Sequence, residues 1–253
     1  MVNSKIKIIK IKGGLGNQLF QIAFAEYLKN QFKLNIKIDI SWFKNQKKRS
    51  FLIDDFLIKP KFEIINYNDS IIEKILSYRS EYLFSTLLKK NFLPKINLFN
   101  GYWQDLFFAK YLKKTIVLNK KFYNKKKTED YYIIHLRRGD FLDSKVHHIL
   151  PDEYYARNVK FFDDKKIYLL SSDENEAIGF LKKTNIKAEF LNTNEFDAFN
   201  LILNASGGIA SNSTFCWWSI FLSKNRNWIF PYRWLKKKNI FEHNLNIEGV
   251  IIE

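Results

Sequence analysis

The sequence predicts an α/β protein with parallel sheets, divided into two parts. Three observations predict it. The N-terminus runs strand, glycine turn, helix, strand. After residue 130, short apolar strands alternate regularly with helix-period stretches. A polar, lysine-rich stretch, Lys120–Asp130, separates the two regions. Such alternation is the signature of parallel sheets with crossover helices. At 253 residues, 46% hydrophobic and 27% charged, the chain excludes disorder and can bury a sizeable core.

Taken in order, Lys5–Lys12 is the first strand, with Ile6, Ile8, Ile9 and Ile11 as its apolar residues. Gly13-Gly14-Leu15-Gly16-Asn17-Gln18 follows as a turn. Leu19, Phe20, Ala23, Phe24, Tyr27 and Leu28 then recur at helical spacing. Asn35–Ile40 is a short alternating strand, completing the start of a βαβ unit. The middle, from Asn45 to Asn100, is less regular; only Ile71–Lys90 reads as helix. Phe99–Gln104 is an aromatic turn before a helix over Asp105–Leu112.

Beyond the linker, Tyr131–Leu136 is a continuous apolar strand, the type found in sheets covered on both faces. A helix over Asp152–Phe162 leads to the strand Lys166–Leu170, which ends in Ser171-Ser172-Asp173. Helices over Glu174–Lys183 and Glu195–Asn204 flank the strand Ala188–Leu191. The strand Gly207–Ala210 closes in Ser211-Asn212-Ser213-Thr214, followed by the helix Phe215–Leu222 and the strand Asn227–Phe230. Strands ending in small polar residues make this region a Rossmann-like half.

Composition narrows the function classes. One cysteine, Cys216, excludes an intramolecular disulfide and a thiolate metal cluster. No stretch is long and apolar enough for a transmembrane helix, and Met1–Lys12 lacks the pattern of a secretory leader, so the expected compartment is the cytoplasm. The net charge of +16 would suit nucleic acid or an anionic membrane. Only seven of the 42 basic residues are arginine, however, and the lysines are scattered among Ile, Asn, Phe and Tyr. That is the lysine-rich usage an AT-rich genome writes on any tolerant surface. No nucleic-acid partner is expected; weak contact with anionic lipid at the inner face of the cytoplasmic membrane is left open.

Three strand ends carry chemistry. His135-Leu136-Arg137-Arg138-Gly139-Asp140 sits where open α/β sheets bind ligands, and it places two scarce arginines side by side. A guanidinium offers a planar, permanent fork for phosphate that lysine cannot reproduce. Asp140 either orients Arg138 or accepts a proton; Asp143 is the second carboxylate of the same loop. Ser172 and Asp173 end the next strand, a position suited to a ribose hydroxyl or base. Asn212, Ser213 and Thr214 end a later one, where capping or phosphate binding would each explain them. In the N-terminal half, Gly14 and Gly16 let backbone amides approach an anion at a helix start, or simply make a tight turn. Together these features point to a nucleotide-diphosphate site. No Asp-x-Asp triplet occurs, so arginine and helix ends, not a metal, are expected to meet the diphosphate charge. His147-His148 reads as ordinary loop, Trp217-Trp218 as core and Cys216 as a buried filler.

Four of these motifs, in this order, resemble glycosyltransferase family 11: Gly13–Gln21, Gly101-Tyr102-Trp103-Gln104, His135–Asp140 and Asn212–Trp218. The resemblance spans Gly13 to Trp234. It implies a GT-B-like architecture, two Rossmann-like domains facing across a cleft. Residues 1–125 would form the acceptor-side α/β domain and residues 126–253 the GDP-fucose-binding domain. It implies an inverting, metal-independent transfer of L-fucose from GDP-fucose to the 2-position of a galactose-terminated surface glycan, such as O-antigen or lipopolysaccharide. Arg137 would bind the β-phosphate with Arg138 in support. For the base, the strand-end position beside the arginines makes Asp140 the candidate, with Asp143 the runner-up. His135 would lie near the guanine, Gly14, Gly16, Asn17, Gln18, Asn212, Ser213 and Thr214 near the diphosphate, and Ser172 and Asp173 near the nucleoside. Asp197 would read the base, although the family's acidic residue falls nearer Ala198. The readings that compete are a fucosyltransferase of other linkage or acceptor and, from another class, a basic RNA- or lipid-binding module.

Overall fold

The computed structural model describes residues 6–67, 81–122, 129–162, 164–237 and 245–253. The chain forms two compact units, Met1–Lys121 and Phe122–Glu253. Most of the polar stretch expected to link them, including Lys125–Lys127, lies outside the described residues.

In the first unit, β1 (Ile6–Lys10), α1 (Leu15–Phe32) and β2 (Asn35–Asp39) form the expected βαβ unit, with β1 and β2 parallel. Two short strands, β4 (Glu63–Ile65) and β5 (Leu98–Phe99), extend this to a four-stranded parallel sheet in the order β4-β2-β1-β5. The irregular middle segment thus supplies sheet edges. A separate antiparallel pair joins β3 (Leu57–Lys59), which follows the one-turn helix α2 (Ile53–Phe56), to β6 (Val117–Leu118). Helix α1 is buried almost continuously from Leu15 to Leu28 and stops at Lys33, which takes the left-handed conformation at φ 53°. It packs along α4 (Leu106–Thr115), started by Asp105, whose carboxylate accepts the Phe107 N–H. Phe24 stacks on Trp103 at 3.9 Å between centroids and meets Phe99 and Phe108 edge-on. Of the helix expected over Ile71–Lys90, the described part is α3 (Glu81–Lys89); residues 71–80 lie outside.

The second unit holds six parallel strands in the order β12-β11-β10-β7-β8-β9. These are β7 (Tyr132–Leu136), β8 (Ile167–Ser171), β9 (Glu189–Phe190), β10 (Gly207–Ile209), β11 (Asn227–Phe230) and β12 (Ile251–Ile252). Helices α5 (Asp152–Asn158), α6 (Glu174–Thr184), α7 (Glu195–Asn204) and α8 (Thr214–Leu222) connect them. The helix expected to run to Phe162 tightens into a 3-10 turn from Val159. Ile134, Leu136, Leu169, Ile209 and Ile229 pack with Tyr154, Tyr155 and Phe180 into one core. Trp217 and Trp218 are fully buried, as is Cys216. Truncating an aromatic of this size in a core costs about 3–5 kcal/mol.

Two features of this sheet position the site. First, strand order reverses at β7: β8 and β9 extend one way from it, β10, β11 and β12 the other. The carboxyl ends of β7 and β10 therefore flank a topological switch point, where connections diverge and leave a crevice. Second, β10 is squeezed between its neighbours. A Cβ on Gly208 (φ +151°) would lie 1.9 Å from the Ile133 carbonyl oxygen, and one on Gly207 would lie 2.0 Å from that of Asn227. The Gly-Gly pair is thus a steric requirement of this strand.

Candidate functional site

The chain leaves β7 at Leu136 and turns through Arg137, Arg138 and a short 3-10 segment, Gly139–Phe141. Because the sheet is parallel, Ser172 and Asp173 emerge from β8 at the same edge, and Gly139 (φ +50°) lies against them. Arg137 is gripped at three points. Its Nη2 meets the Asp140 carboxylate at 2.7 Å, its Nη1 donates to Ser172 Oγ at 3.3 Å, and its guanidinium carbon lies 5.0 Å over the Phe141 ring. The side chain keeps 18% of its surface exposed. A guanidinium oriented in advance and still accessible can receive an anion without reorganising.

Arg138 is committed elsewhere. It donates to the Leu150 carbonyl and pairs with Asp152 at 2.5 Å, and Asp152 also holds Lys183 at 2.6 Å. Burial raises the Asp152 carboxyl, but hydrogen bonds from Lys183 and Arg138 outweigh it and hold the group below its ordinary range. The sequence expectation that Asp140 orients Arg138 is corrected: Asp140 holds Arg137, and Arg138 ties the loop to the start of α5. The two arginines are adjacent in sequence but do different work, because successive side chains leaving a strand point apart.

Across the switch point, His135 Nδ1 bonds Ser211 Oγ at 2.6 Å, and its ring stacks near Phe215. It is 7% exposed, and burial, aided by the Arg137 charge, depresses its pKa to about 3. His135 is therefore a neutral, buried tie between β7 and β10. Asn212 is 3% exposed and works as a clasp: its Nδ2 donates to the carbonyls of His148 (2.7 Å) and Trp234 (2.8 Å). Those segments are zipped together by the His148 N–H to Trp234 carbonyl and Lys236 N–H to Val146 carbonyl bonds. Ser213 occupies the N-cap position of α8 without a side-chain capping bond, and Thr214 is the first helical residue. The backbone amides of this helix start lie beside the switch point.

Asp173 caps α6 by accepting the Glu176 N–H, and Asp197 forms a reciprocal cap with Asn194 at the start of α7. Both carboxylates therefore have a local structural task; Ser172 is exposed beside Arg137.

In the first unit, Gly13 (φ +82°) makes the turn and Gly14 is the N-cap of α1. Gly16 is buried in the first helical turn. Asn17 Oδ1 accepts from Gln104 Nε2 at 2.9 Å. Gln18 is fully buried. Its Nε2 donates to the Gly13 and Ser50 carbonyls and its Oε1 accepts the Leu52 N–H, so the side chain is a brace between the turn and the 50–52 loop. Gln21 similarly ties Lys12 to Gly101. Two residues here were not singled out by the sequence reading. Arg49 lies so close to Gly14 that a Cβ there would sit 3.3 Å from its Nη1. The scarcity of arginine was the available signal. Glu81 accepts the N–H groups of Tyr102 and Trp103, which explains the aromatic turn. No signal in the sequence marked it.

Among the described residues, no group of three or more His, Cys, Asp or Glu side chains could hold a metal ion, and no helix is long and apolar enough to cross a membrane. No protein-family model matches the chain. It is 27% identical to the O-antigen biosynthesis glycosyltransferase WbnK of Escherichia coli, over 90% of this chain and 95% of that one. It is 26% identical to an alpha-1,2-colitosyltransferase of Escherichia coli, over 93% of this chain and 94% of that one. Its fold matches the crystal structure of the fucosyltransferase NodZ from Bradyrhizobium at a TM-score of 0.60 and 11% identity, covering 88% of this chain and 93% of that one. NodZ has also been co-crystallised with GDP. Relatives and fold neighbour agree at one level: the chain is of glycosyltransferase type, on a GT-B-like α/β fold.

Proposed function

We propose that the chain is an inverting α-1,2-fucosyltransferase of glycosyltransferase family 11. In this reading it moves L-fucose from GDP-fucose to a galactose-terminated acceptor in O-antigen or lipopolysaccharide assembly. The observation that carries the reading is Arg137, held on Asp140, Ser172 and Phe141 at the switch point. As the bond to fucose breaks, negative charge grows on the departing diphosphate. A preorganised guanidinium and the amides at the start of α8 stabilise that charge more than they stabilise the bound donor. The names of the relatives support O-antigen synthesis and an α-1,2 linkage, and the fold neighbour's crystallisation with GDP supports the nucleotide. In this mechanism guanidinium and helix end meet the diphosphate charge, so no metal takes part. Scattered lysines allow weak peripheral contact with an anionic membrane from the cytoplasmic side.

The acceptor hydroxyl must lose a proton on the face opposite the leaving group. In an oxocarbenium-like step that proton moves late, so a weak carboxylate base suffices. Asp140 is 55% exposed and is the first candidate for base, with Asp143 the second. Asp140→Asn separates the roles: a base variant keeps GDP affinity while turnover collapses, and a variant that only frees Arg137 loses both.

The α-1,2-colitosyltransferase relative favours one second reading, a donor whose sugar lacks the fucose 3-hydroxyl. The deciding experiment has two stages. GDP in EDTA should raise the melting temperature. Incubation with GDP-fucose or GDP-colitose and a panel of galactosides, followed by linkage analysis, should yield an α-1,2 product. RNA binding with a steep salt dependence and no GDP effect, or an absolute need for a divalent ion, would overturn the proposal.

A further inference from the structure

The loop after Arg137 contains a side chain that the nucleotide-sugar reading does not use. His147 lies parallel to Phe141, with 4.1 Å between ring centroids and 9° between planes. Phe141 is the ring over which the Arg137 guanidinium lies. The imidazole is itself fixed. Its Nδ1 lies 2.9 Å from Ser144 Oγ, which also accepts the N–H groups of Val146 (3.2 Å) and His147 (3.1 Å). With both lone pairs of Ser144 Oγ so engaged, its hydroxyl proton goes to Nδ1, leaving the neutral Nε2–H tautomer. His147 also bridges Leu235, and Lys236 Nζ donates to the Ser144 carbonyl at 2.6 Å, beside the Asn212 clasp. Burial keeps the imidazole pKa below its ordinary value; Asp140 opposes this and Arg137 reinforces it.

We propose that His147 is a positioning residue: stacked on Phe141, it fixes the ring that carries the Arg137 guanidinium and so pre-orients it for a phosphate-bearing ligand. A long arginine side chain is expensive to order at each binding event, and a rigid stack lowers that cost before the ligand arrives. The neutral tautomer matters, because a cationic imidazole stacked on the same ring would repel the guanidinium. The identity of the ligand as a nucleoside diphosphate rests on the function proposed above; the positioning itself does not.

The test uses arginine-selective ¹⁵N labelling of the whole chain, which has seven arginines. The Arg137 Nε–Hε signal is the one missing from Arg137→Lys. In His147→Ala that signal should move to the position of mobile arginines while the other six stay in place, and GDP should bind roughly tenfold more weakly, about the worth of one cation–π contact. His147→Phe, which keeps a flat ring, should restore both. In an Arg137→Lys background, His147→Ala should weaken GDP binding no further. An unmoved Arg137 signal in His147→Ala, or no restoration in His147→Phe, overturns the proposal. Failure of the wild-type protein to bind GDP would instead sink the nucleotide reading, and the arginine spectrum would still decide the role of His147.

Discussion

Asn212 is the residue whose replacement tests the architecture of the site most directly. Its Nδ2 sits between two carbonyl acceptors at 2.7 and 2.8 Å, those of His148 and Trp234, and the side chain is almost fully buried. Two acceptors around one atom identify it as nitrogen, since an oxygen there would face two like dipoles. Asn212→Ala removes both bonds, although the Trp234 carbonyl still accepts the His148 N–H. At about 0.5–1.5 kcal/mol per bond, the loss is about 1–3 kcal/mol. For a chain of this size, that corresponds to a fall of roughly 2–12 °C in melting temperature. Asn212→Asp is the sharper variant. It is isosteric but turns a donor pair into an anion facing two carbonyl oxygens, so it should destabilise at least as much as alanine. Thermal unfolding followed by tryptophan fluorescence reads mainly the second unit, which holds Trp217, Trp218, Trp228 and Trp234. Weaker GDP binding should accompany both variants, because the clasped segments support the loop carrying Arg137 and Asp140. An Asn212→Asp protein that melts within about a degree of wild type would refute the clasp.

Three further outcomes are expected. Arg137→Lys should lose on the order of 10²–10³ in turnover, because a point charge cannot replace a braced fork; near-normal steady-state rates would contradict that role. Gly208→Ala should abolish stable folding, since the added Cβ would meet the Ile133 carbonyl at 1.9 Å, and a folded variant with wild-type circular dichroism would show that β10 has room to shift. His135 should make the protein acid-sensitive. Its folded pKa is about 3 against an ordinary 6.5, so below pH 6.5 the unfolded chain takes a proton that the folded chain refuses. Stability should therefore fall between pH 6.5 and 3 by up to about 1.4 kcal/mol per pH unit from this group. Urea midpoints at pH 7 and 5 should differ less in His135→Gln than in wild type.

Periodicity in the sequence announces the longer elements. Helix α1, strand β7 and the alternation of strands and helices beyond it were legible, because a helix or strand buried on a continuous face repeats its apolar residues every 3.6 or two positions. The sequence also marked the strand-end motifs, including the improbable arginine pair. Two- and three-residue strands such as β4, β5 and β12 carried no such signal, for a pairing partner defines them and periodicity cannot. The division of work among side chains emerges with the fold. Residue type and strand position do not separate Arg137 from Arg138, which only the family resemblance ranked; in the fold one lies over Phe141 and the other is spent on Asp152, 14 residues away. Asn212 looked like a cap or phosphate ligand and is a clasp on carbonyls 64 and 22 residues distant. His147, which reads as ordinary loop in the sequence, stacks on Phe141. The physical reason is common to all of these. Residue type and strand position are local properties, whereas the partner that consumes a hydrogen-bond donor or fixes a ring arrives from distant chain. Only folding brings the two within reach.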